Sequence, residues 1–350
     1  MSDRRPLVLT TGGAGYVGSH TIVELMEAGY DTVILDNFCN ASRGCIPNLE
    51  KVCKTKLKVR EMDLLNKDAL SDLFTEFKFD FVIHFAALKA VGESVAVPLS
   101  YYENNVTGFI NLLQVMAAHN VKKIVYSSSC CVYGNPSKLP LTEDCDVGKC
   151  ANPYGTTKYI GELMLRDLVI SDPEWSVINL RYFNPVGAHP SGLIGEDAGS
   201  APKNIFPCIT KTAMGLMKEV RVFGDDYDTK DGTGVRDYIH IVDLAKGHVV
   251  AMHHLQTFKG CKTYNLGTGR GYTVLELIEA MKAASGKPIK YRVESRRPGD
   301  VSTVYADASL AKKELHWQAN LGLPEMCRDA WRWQCDFPNG YVTPSGDTRK

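Results

Sequence analysis

Residues 6–37 read PLVLTTGGAGYVGSHTIVELMEAGYDTVILDN, and the order of chemical types in this stretch decides the fold. Leu7 to Leu9 form a short apolar run, the pattern of a buried strand. Gly12, Gly15 and Gly18 follow at three-residue spacing. Ile22, Val23, Leu25 and Met26 then recur with helical periodicity up to Gly29, a helix stop. DTVILD supplies a second strand ending in Asp36. Strand, glycine-rich turn, helix and strand in that order make a dinucleotide-binding unit. The glycines let the backbone turn tightly and approach a pyrophosphate, which rests on the positive end of the helix. Glycines at this spacing alone would say little, because turns often carry them. The flanking elements and the placed acid give the pattern its meaning. Asp36 lies 18 residues past Gly18, close to the roughly 20 expected for an acid on the adenosine ribose. Its charge repels a 2′-phosphate, so the expected cofactor is NAD and not NADP.

The alternation continues outward. LKVREMD reads as a strand ending at Asp63, and DFVIHFAALK as a strand leading to Lys89. Residues 99–119 read as a helix, and KKIVYSSSCCVYG as a strand with serines at its carboxyl end. Ligands of such sheets bind at strand carboxyl ends, which directs Asp63, Phe85, Lys89 and Ser129 to one crevice. A chain of 350 residues accommodates a large α/β domain with a smaller companion. Lys plus Arg and Asp plus Glu both number 40, so a nucleic-acid partner gains little support from net charge. No stretch approaches the roughly 18 apolar residues of a membrane span. Eleven cysteines without a C-x-x-C spacing point to reduced thiols, and the expected location is cytoplasmic. No metal site is expected. The acidic stretch 224–234 has Lys230 where a calcium loop needs Asp or Asn, and His253 and His254 are adjacent on a helix.

NPYGTTKY, residues 152–159, places Tyr154 and Lys158 four apart on a helix starting near Pro153 with Asn152 as its cap. At that spacing both side chains share a face. An ammonium beside a phenol favours the phenolate and is expected to lower a pKa that starts near ~10. Tyrosine and lysine also occur at this spacing on ordinary helix surfaces. After a dinucleotide fingerprint, and with Ser129 ending a strand 25 residues upstream, the pair reads as a proton-transfer device.

These motifs together resemble the extended short-chain dehydrogenase/reductases. HFAALKAVGES (84–94), SSSCCVYGNP (127–136), LRYFNPVGAHPSGLIGED (180–197) and DGTGVRDYIHIVDLAKGH (231–248) resemble more specifically the UDP-galactose 4-epimerase family, from about residue 6 to about 335. The resemblance implies Tyr154 as acid and base, Ser129 as its hydrogen-bonding assistant and Lys158 on the nicotinamide ribose. It implies an NAD site built from Gly12, Gly15, Tyr16, Val17 and Gly18, with Asp36, Asn37, Phe38, Cys39, Asn40, Asp63 and Leu64 at the adenosine end. Phe85, Lys89 and Tyr182 complete that site, Tyr182 between cofactor and substrate. On the UDP-hexose side it implies Cys130, Cys131, Phe183, Asn184, Lys203, Asn204, Ile205, Arg221, Val222 and Phe223. Arg236, Arg297, Pro298, Gly299, Asp300 and Val304 belong to the same side, with Arg236 and Arg297 rather than Arg296 on the phosphates. The implied reaction, a step of galactose metabolism, lends hydride from C4 of UDP-galactose or UDP-glucose to tightly bound NAD. The 4-keto sugar then turns over and takes the hydride back on its other face.

Where that family reads Ala-Thr this chain has Cys130-Cys131, which removes one hydroxyl. Val304 stands where relatives carry a bulky tyrosine or a small residue, and it leaves room for N-acetylated UDP-hexoses. Another nucleotide-sugar enzyme, a 4,6-dehydratase or a decarboxylase, is the alternative, but dehydratases place Asp and Glu where this chain has the two cysteines. An inactive NAD sensor would commonly have lost Tyr154 or Lys158. The expected fold is α/β, a Rossmann-type doubly wound parallel sheet. Residues 1–180 would form the NAD-binding domain, with strands returning from about 235–265. Residues 181–345 would form a smaller carboxyl-terminal lobe for the UDP-sugar. The family resemblance also implies a homodimer through the helices near 99–119 and 153–170.

Overall fold

The computed structural model describes residues 4–199, 202–297 and 300–341. Strands buried on both faces run apolar without alternating, and those of the amino-terminal half do so. Val8, Ile83, Val125 and Ile178 face one core cluster, while their neighbours Leu9, Val82, Ile124 and Val177 face another. This period of two builds a seven-stranded sheet in the order Gly260–Leu266, Ser176–Tyr182, Lys123–Ser129, Phe81–His84, Leu7–Thr11, Asp31–Asp36, Lys58–Glu61. Every adjacent pair is parallel. The doubly wound fold expected from the sequence is thus the one observed. The chain winds outward from Leu7–Thr11 to Lys58–Glu61 and then crosses back to Phe81–His84. Its crevice opens where that order reverses, at the strand carboxyl ends.

Helices Tyr16–Glu27 and Ile241–His254 cover one face, burying Leu25, Leu244, Ala251 and Met252. Helices Lys67–Glu76, Gly108–Ala118 and Pro153–Ser171 cover the other with Leu70, Phe109, Met116 and Leu165. Two expected strands are shorter than the sequence suggests. The third strand ends at Glu61 and not Asp63, because both Asp63 oxygens accept side-chain and turn hydrogen bonds, from Asn37 Nδ2 and the Leu65 N–H. The fourth ends at His84, where the Phe85 and Ala86 N–H groups converge on the Thr11 carbonyl. The helix expected over residues 99–119 is present without a break from Pro98 to Ala118, widened by one π-helical turn at Glu103–Thr107 between Pro98–Tyr102 and Gly108–Ala118.

The smaller lobe centres on Val235–His240, which pairs with Gly271–Thr273, Thr303–Val304 and Asn184–Val186. Within the returning stretch, only the helix Ile241–His254 and the strand Gly260–Leu266 join the large layers. Val220–Phe223 pairs separately with Tyr291–Glu294. Helices Ile205–Ala213, Val274–Ser285 and Leu323–Asp336 close the lobe's core. The last of these buries Trp333 against Phe337 and Tyr341. His253 stacks on Tyr30 and His254 on Phe258, so the two rings serve different contacts. Among the described residues no group of three or more His, Cys, Asp or Glu could hold a metal ion, and no helix is long and apolar enough to cross a membrane.

Candidate active site

The glycine-rich turn is built for close approach. Gly12 has φ +70°, and a Cβ there would stand 2.6 Å from the Ala86 nitrogen; one on Gly18 would stand 2.5 Å from the Gly12 carbonyl oxygen. The helix Tyr16–Glu27 starts without a side-chain cap and without an acid in its first turn. Its first amides therefore meet none of the chain's own side-chain anions, which suits a bound pyrophosphate. Asp36 accepts from the Ala14 N–H at 3.1 Å and the Phe38 N–H at 2.9 Å, and burial raises its pKa against those bonds. The bond to Asp36 holds Phe38 in the left-handed region at φ 56°. Asn37 donates to Asp63 and accepts from the Cys39 N–H, while Asn40 donates to the Ala87 carbonyl. Leu64 is buried beside them, its carbonyl held by Asn111. The residues expected at the adenosine end are thus tied together by hydrogen bonds. Tyr16 donates to the Gly187 carbonyl at 2.7 Å and ties the start of its helix to the second lobe; Val17 packs beneath, on the first core cluster.

Across the crevice stands the helix Pro153–Ser171. Asn152 caps it, accepting from the Gly155 N–H at 2.9 Å, with Pro153 in its first turn. A Cβ on Gly161 would stand 2.1 Å from Tyr126 Oη, so glycine alone lets helix and sheet approach this closely. That approach carries Lys158 into the interior, where Nζ donates to the Ser127 carbonyl at 2.6 Å and lies 5.9 Å from the Tyr154 ring centroid. Asn105, in the wide turn at Glu103–Thr107, bonds both the N–H and carbonyl of Leu88 and the Thr157 hydroxyl. It thereby locks the loop before Lys89 to the same helix. Glu162, one turn further, takes Arg181 and the Ser128 hydroxyl in a buried pair. Ser129 closes its strand beside Tyr154, with Oγ accepting from the Cys131 N–H at 3.2 Å.

The ionisation of the pair differs from the sequence expectation. Burial raises the Tyr154 pKa well above its ordinary value, and Cys131 adds to the rise while a hydrogen bond with Ser129 opposes it. Burial alone pulls Lys158 down to about 7. The expected lowering of the phenol's pKa by the ammonium is therefore overturned for the protein groups alone. Desolvation penalises both charges, and the ammonium is aimed at Ser127 and not at the phenol oxygen.

On the second lobe Ile205, Arg221, Val222, Phe223, Arg236, Arg297 and Asp300 line one cavity. Arg297 Nε donates to Asp300 at 2.9 Å, and an Arg236 nitrogen lies 3.6 Å from its other oxygen. The guanidinium carbons of Arg297 and Arg221 lie 4.7 and 5.1 Å from the Phe223 ring centroid. Arg221 is paired with Glu294, and Arg296 with Asp226. Pro298 and Gly299 lie outside the described residues. Val304 is buried with Phe183, and Asn184 pairs with Tyr238 along the small sheet. Lys89 and Asn204 meet at Glu196, whereas Lys203 pairs with Glu93. Cys130 and Cys131 both feel the Arg236 charge. Tyr182 lies opposite Ser129 along the sheet, but its hydroxyl bonds His248 Nε2 at 2.5 Å.

Sequence reasoning missed Tyr227 and Tyr238 in the cavity wall, the Glu196 hub and His248 behind Tyr182 and Phe85. The stretch DGTGVRDYIHIVDLAKGH contains Tyr238 and His248, so their presence was visible although their roles were not.

A family model described as GDP-mannose 4,6 dehydratase matches residues 9–330. The UDP-glucose 4-epimerase of Mus musculus is 54% identical over 340 residues, covering 95% of this chain and 98% of its own. That of Bacillus subtilis (strain 168) is 53% identical over 334 residues, covering 95% and 98%. A crystal structure of UDP-glucose 4-epimerase from Bifidobacterium longum in complex with NAD+ and UDP superposes with TM-score 0.93 at 51% identity, covering 96% of this chain and 100% of that one.

The chain belongs to the UDP-glucose 4-epimerase family.

The positions after Ser129 hold thiols, where Asp and Glu are expected in a dehydratase. The buried lysine has a consequence for stability. Unfolded chain keeps the Lys158 proton up to its ordinary value of 10.5, while the folded chain releases it from about 7. Between those values the unfolded state binds more protons, so stability rises with pH. Lys158→Met removes the buried ammonium. Thermal melts of nucleotide-free protein should show the variant more stable than the parent at pH 6, by roughly 1–3 kcal/mol, with the advantage gone at pH 10.5.

Proposed function

We propose that the protein interconverts UDP-glucose and UDP-galactose by inverting C4 of the hexose, with NAD as its resident cofactor, as a step of galactose metabolism. The observation that carries this reading is the meeting of two half-sites at one crevice. Tyr154, Lys158 and Ser129 gather at the carboxyl end of a strand in the sheet that carries the glycine-rich turn, and Arg236, which lines the second-lobe cavity with Arg297 and Asp300, lies within electrostatic reach of Cys131 beside them. NAD, when bound, supplies the hydride acceptor and donor. Tyr154 Oη takes the 4-hydroxyl proton and returns it, with Ser129 Oγ bonded to the same substrate oxygen. A cation beside the phenol lowers its pKa, so the charge of a bound nicotinamide would add to the Ser129 hydrogen bond in offsetting the burial at Tyr154. Inversion through a 4-keto sugar needs UDP held firmly and the hexose loosely. Guanidinium groups suit the firm hold, because they bind phosphate oxygens in pairs. The hexose side, by contrast, is bordered by Val304 and the two thiols.

In this reading residues 1–180 and the returning strand Gly260–Leu266 hold NAD, while residues 181–345 hold UDP. Val304 is buried with Phe183 and carries a smaller side chain than tyrosine, and on that ground we extend the substrates to UDP-N-acetylglucosamine and UDP-N-acetylgalactosamine. The helices Pro98–Tyr102 and Pro153–Ser171 expose Leu99 at 79% and Ile170 at 74%, surface that supports a homodimer joined there. Eleven free thiols support a reducing, cytoplasmic setting.

Tyr154→Phe should lower the formation of UDP-glucose from UDP-galactose, without added reductant, by roughly 10²–10⁴-fold; an unchanged rate defeats the assignment. Val304→Tyr should cut turnover of the N-acetylated pair by roughly tenfold or more while sparing the plain pair. If the parent protein leaves the N-acetylated sugars untouched, the extension is wrong. Leu99→Asp with Ile170→Asp should shift the sedimenting species from dimer to monomer, and a parent already monomeric at micromolar concentration rules the dimer out.

A further inference from the structure

Three thiols crowd the carboxyl end of the strand Lys123–Ser129. Cys130 and Cys131 are adjacent and half-buried, they open the turn Cys130–Tyr133, and their thiols are hydrogen-bonded to each other. The Cys131 thiol is also bonded to Ser129 and lies within electrostatic reach of Arg236 and Tyr154. The point where a Gly155 Cβ would stand is 3.2 Å from Cys131 Cβ and 3.3 Å from Cys150 Cβ, one residue from Tyr154. Cys150 is engaged with the Val132 carbonyl. These surroundings sort the three sulfurs. The Cys130 thiol, then Ser129 and Arg236, lower the Cys131 pKa against burial, whereas the pKa values of Cys130 and Cys150 are raised. The sulfur beside the reacting groups is thus the one disposed to act as a nucleophile, since thiolate is the reactive form.

We propose that Cys131 is a thiol-modification site inside the substrate crevice, where a low-molecular-weight disulfide forms a reversible mixed disulfide that stops epimerisation. The inference rests on the function proposed above and adds a control to the same site. The Cys131 sulfur attacks one sulfur of the small disulfide, the new S–S bond forms as the old one breaks, and the departing thiolate carries away the electron pair. The proton released by Cys131 goes to solvent or to that leaving thiolate, and an excess of free thiol reverses each step. Cys130 is badly placed to expel the adduct. Consecutive Cα atoms lie about 3.8 Å apart, short of the roughly 4.4 Å at which ordinary disulfides begin. The adduct persists against Ser129 and Tyr154, in the space the sugar hydroxyl must enter.

The test incubates full-length, dinucleotide-loaded enzyme with oxidised glutathione and follows activity alongside peptide mass mapping. The adduct on Cys131 should track the loss of activity, UDP should slow both, and dithiothreitol should restore the rate. Under conditions that reduce the parent roughly tenfold, Cys131→Thr should lose less than about twofold of its own untreated rate, while the exposed-thiol variant Cys335→Ser should stay as sensitive as the parent. An adduct confined to Cys39 or Cys335, an undiminished loss in Cys131→Thr, or full activity with Cys131 modified would each overturn the proposal. Untreated protein without epimerase activity would instead count against the function itself, because the adduct is read by mass independently of turnover.

Discussion

The crevice depends on one contact, the Lys158 ammonium donating to the Ser127 carbonyl across the gap between helix and sheet. A lysine carried so far inside loses most of its hydration, and few proteins tolerate this without a compensating partner. Here the compensation is geometric. The missing side chain at Gly161 lets the helix settle onto Tyr126, and the Glu162–Arg181 pair with Ser128 holds the next turn in register. Asn105 does the same from the other side through Leu88 and Thr157. Tyr154 therefore inherits its position from the contacts of Gly161, Glu162 and Asn105.

The second lobe works by a different economy. The chain carries no net charge, yet the second-lobe cavity concentrates Arg236 and Arg297 on a single carboxylate, Asp300. A shared counter-ion keeps both guanidinium groups oriented toward the cavity and limits their mutual repulsion. Phe223, flanked by Arg221 and Arg297, supplies a flat apolar wall next to them. Two chemically opposite surfaces thus lie side by side in one cavity, as a ligand with a planar base and a charged linker requires.

Much of this was legible in the chain because the responsible forces are local. The glycine spacing, the acid at 36, the Asn152 cap and the Tyr154–Lys158 spacing each follow from backbone geometry over a few residues. Where strands end was not legible, since Glu61 and His84 end theirs for reasons set by partners elsewhere in the chain, Asn37 and Thr11. Nor was the sign of the Tyr154 shift. A four-residue spacing shows that a lysine is near, but the depth of burial that outweighs it comes from the packed sheet and the Gly161 approach. His248 behind Tyr182 and Glu196 between Lys89 and Asn204 join residues far apart in the chain, so no window of sequence displays them. Arg297 and Arg296 look alike as a dipeptide, and only the tertiary partners separate the cavity residue from the one paired with Asp226.

The Thr11 carbonyl receives the amides of both Phe85 and Ala86, and Gly12 passes too near Ala86 to carry any side chain. Although about seventy residues of chain separate them, the glycine turn and the segment after the fourth strand are therefore one mechanical part. A chimera that imports residues 12–18 from a distant relative without the matching 85–86 corner would import a steric mismatch. Exchange of nucleotide preference among such proteins should accordingly proceed by paired grafts.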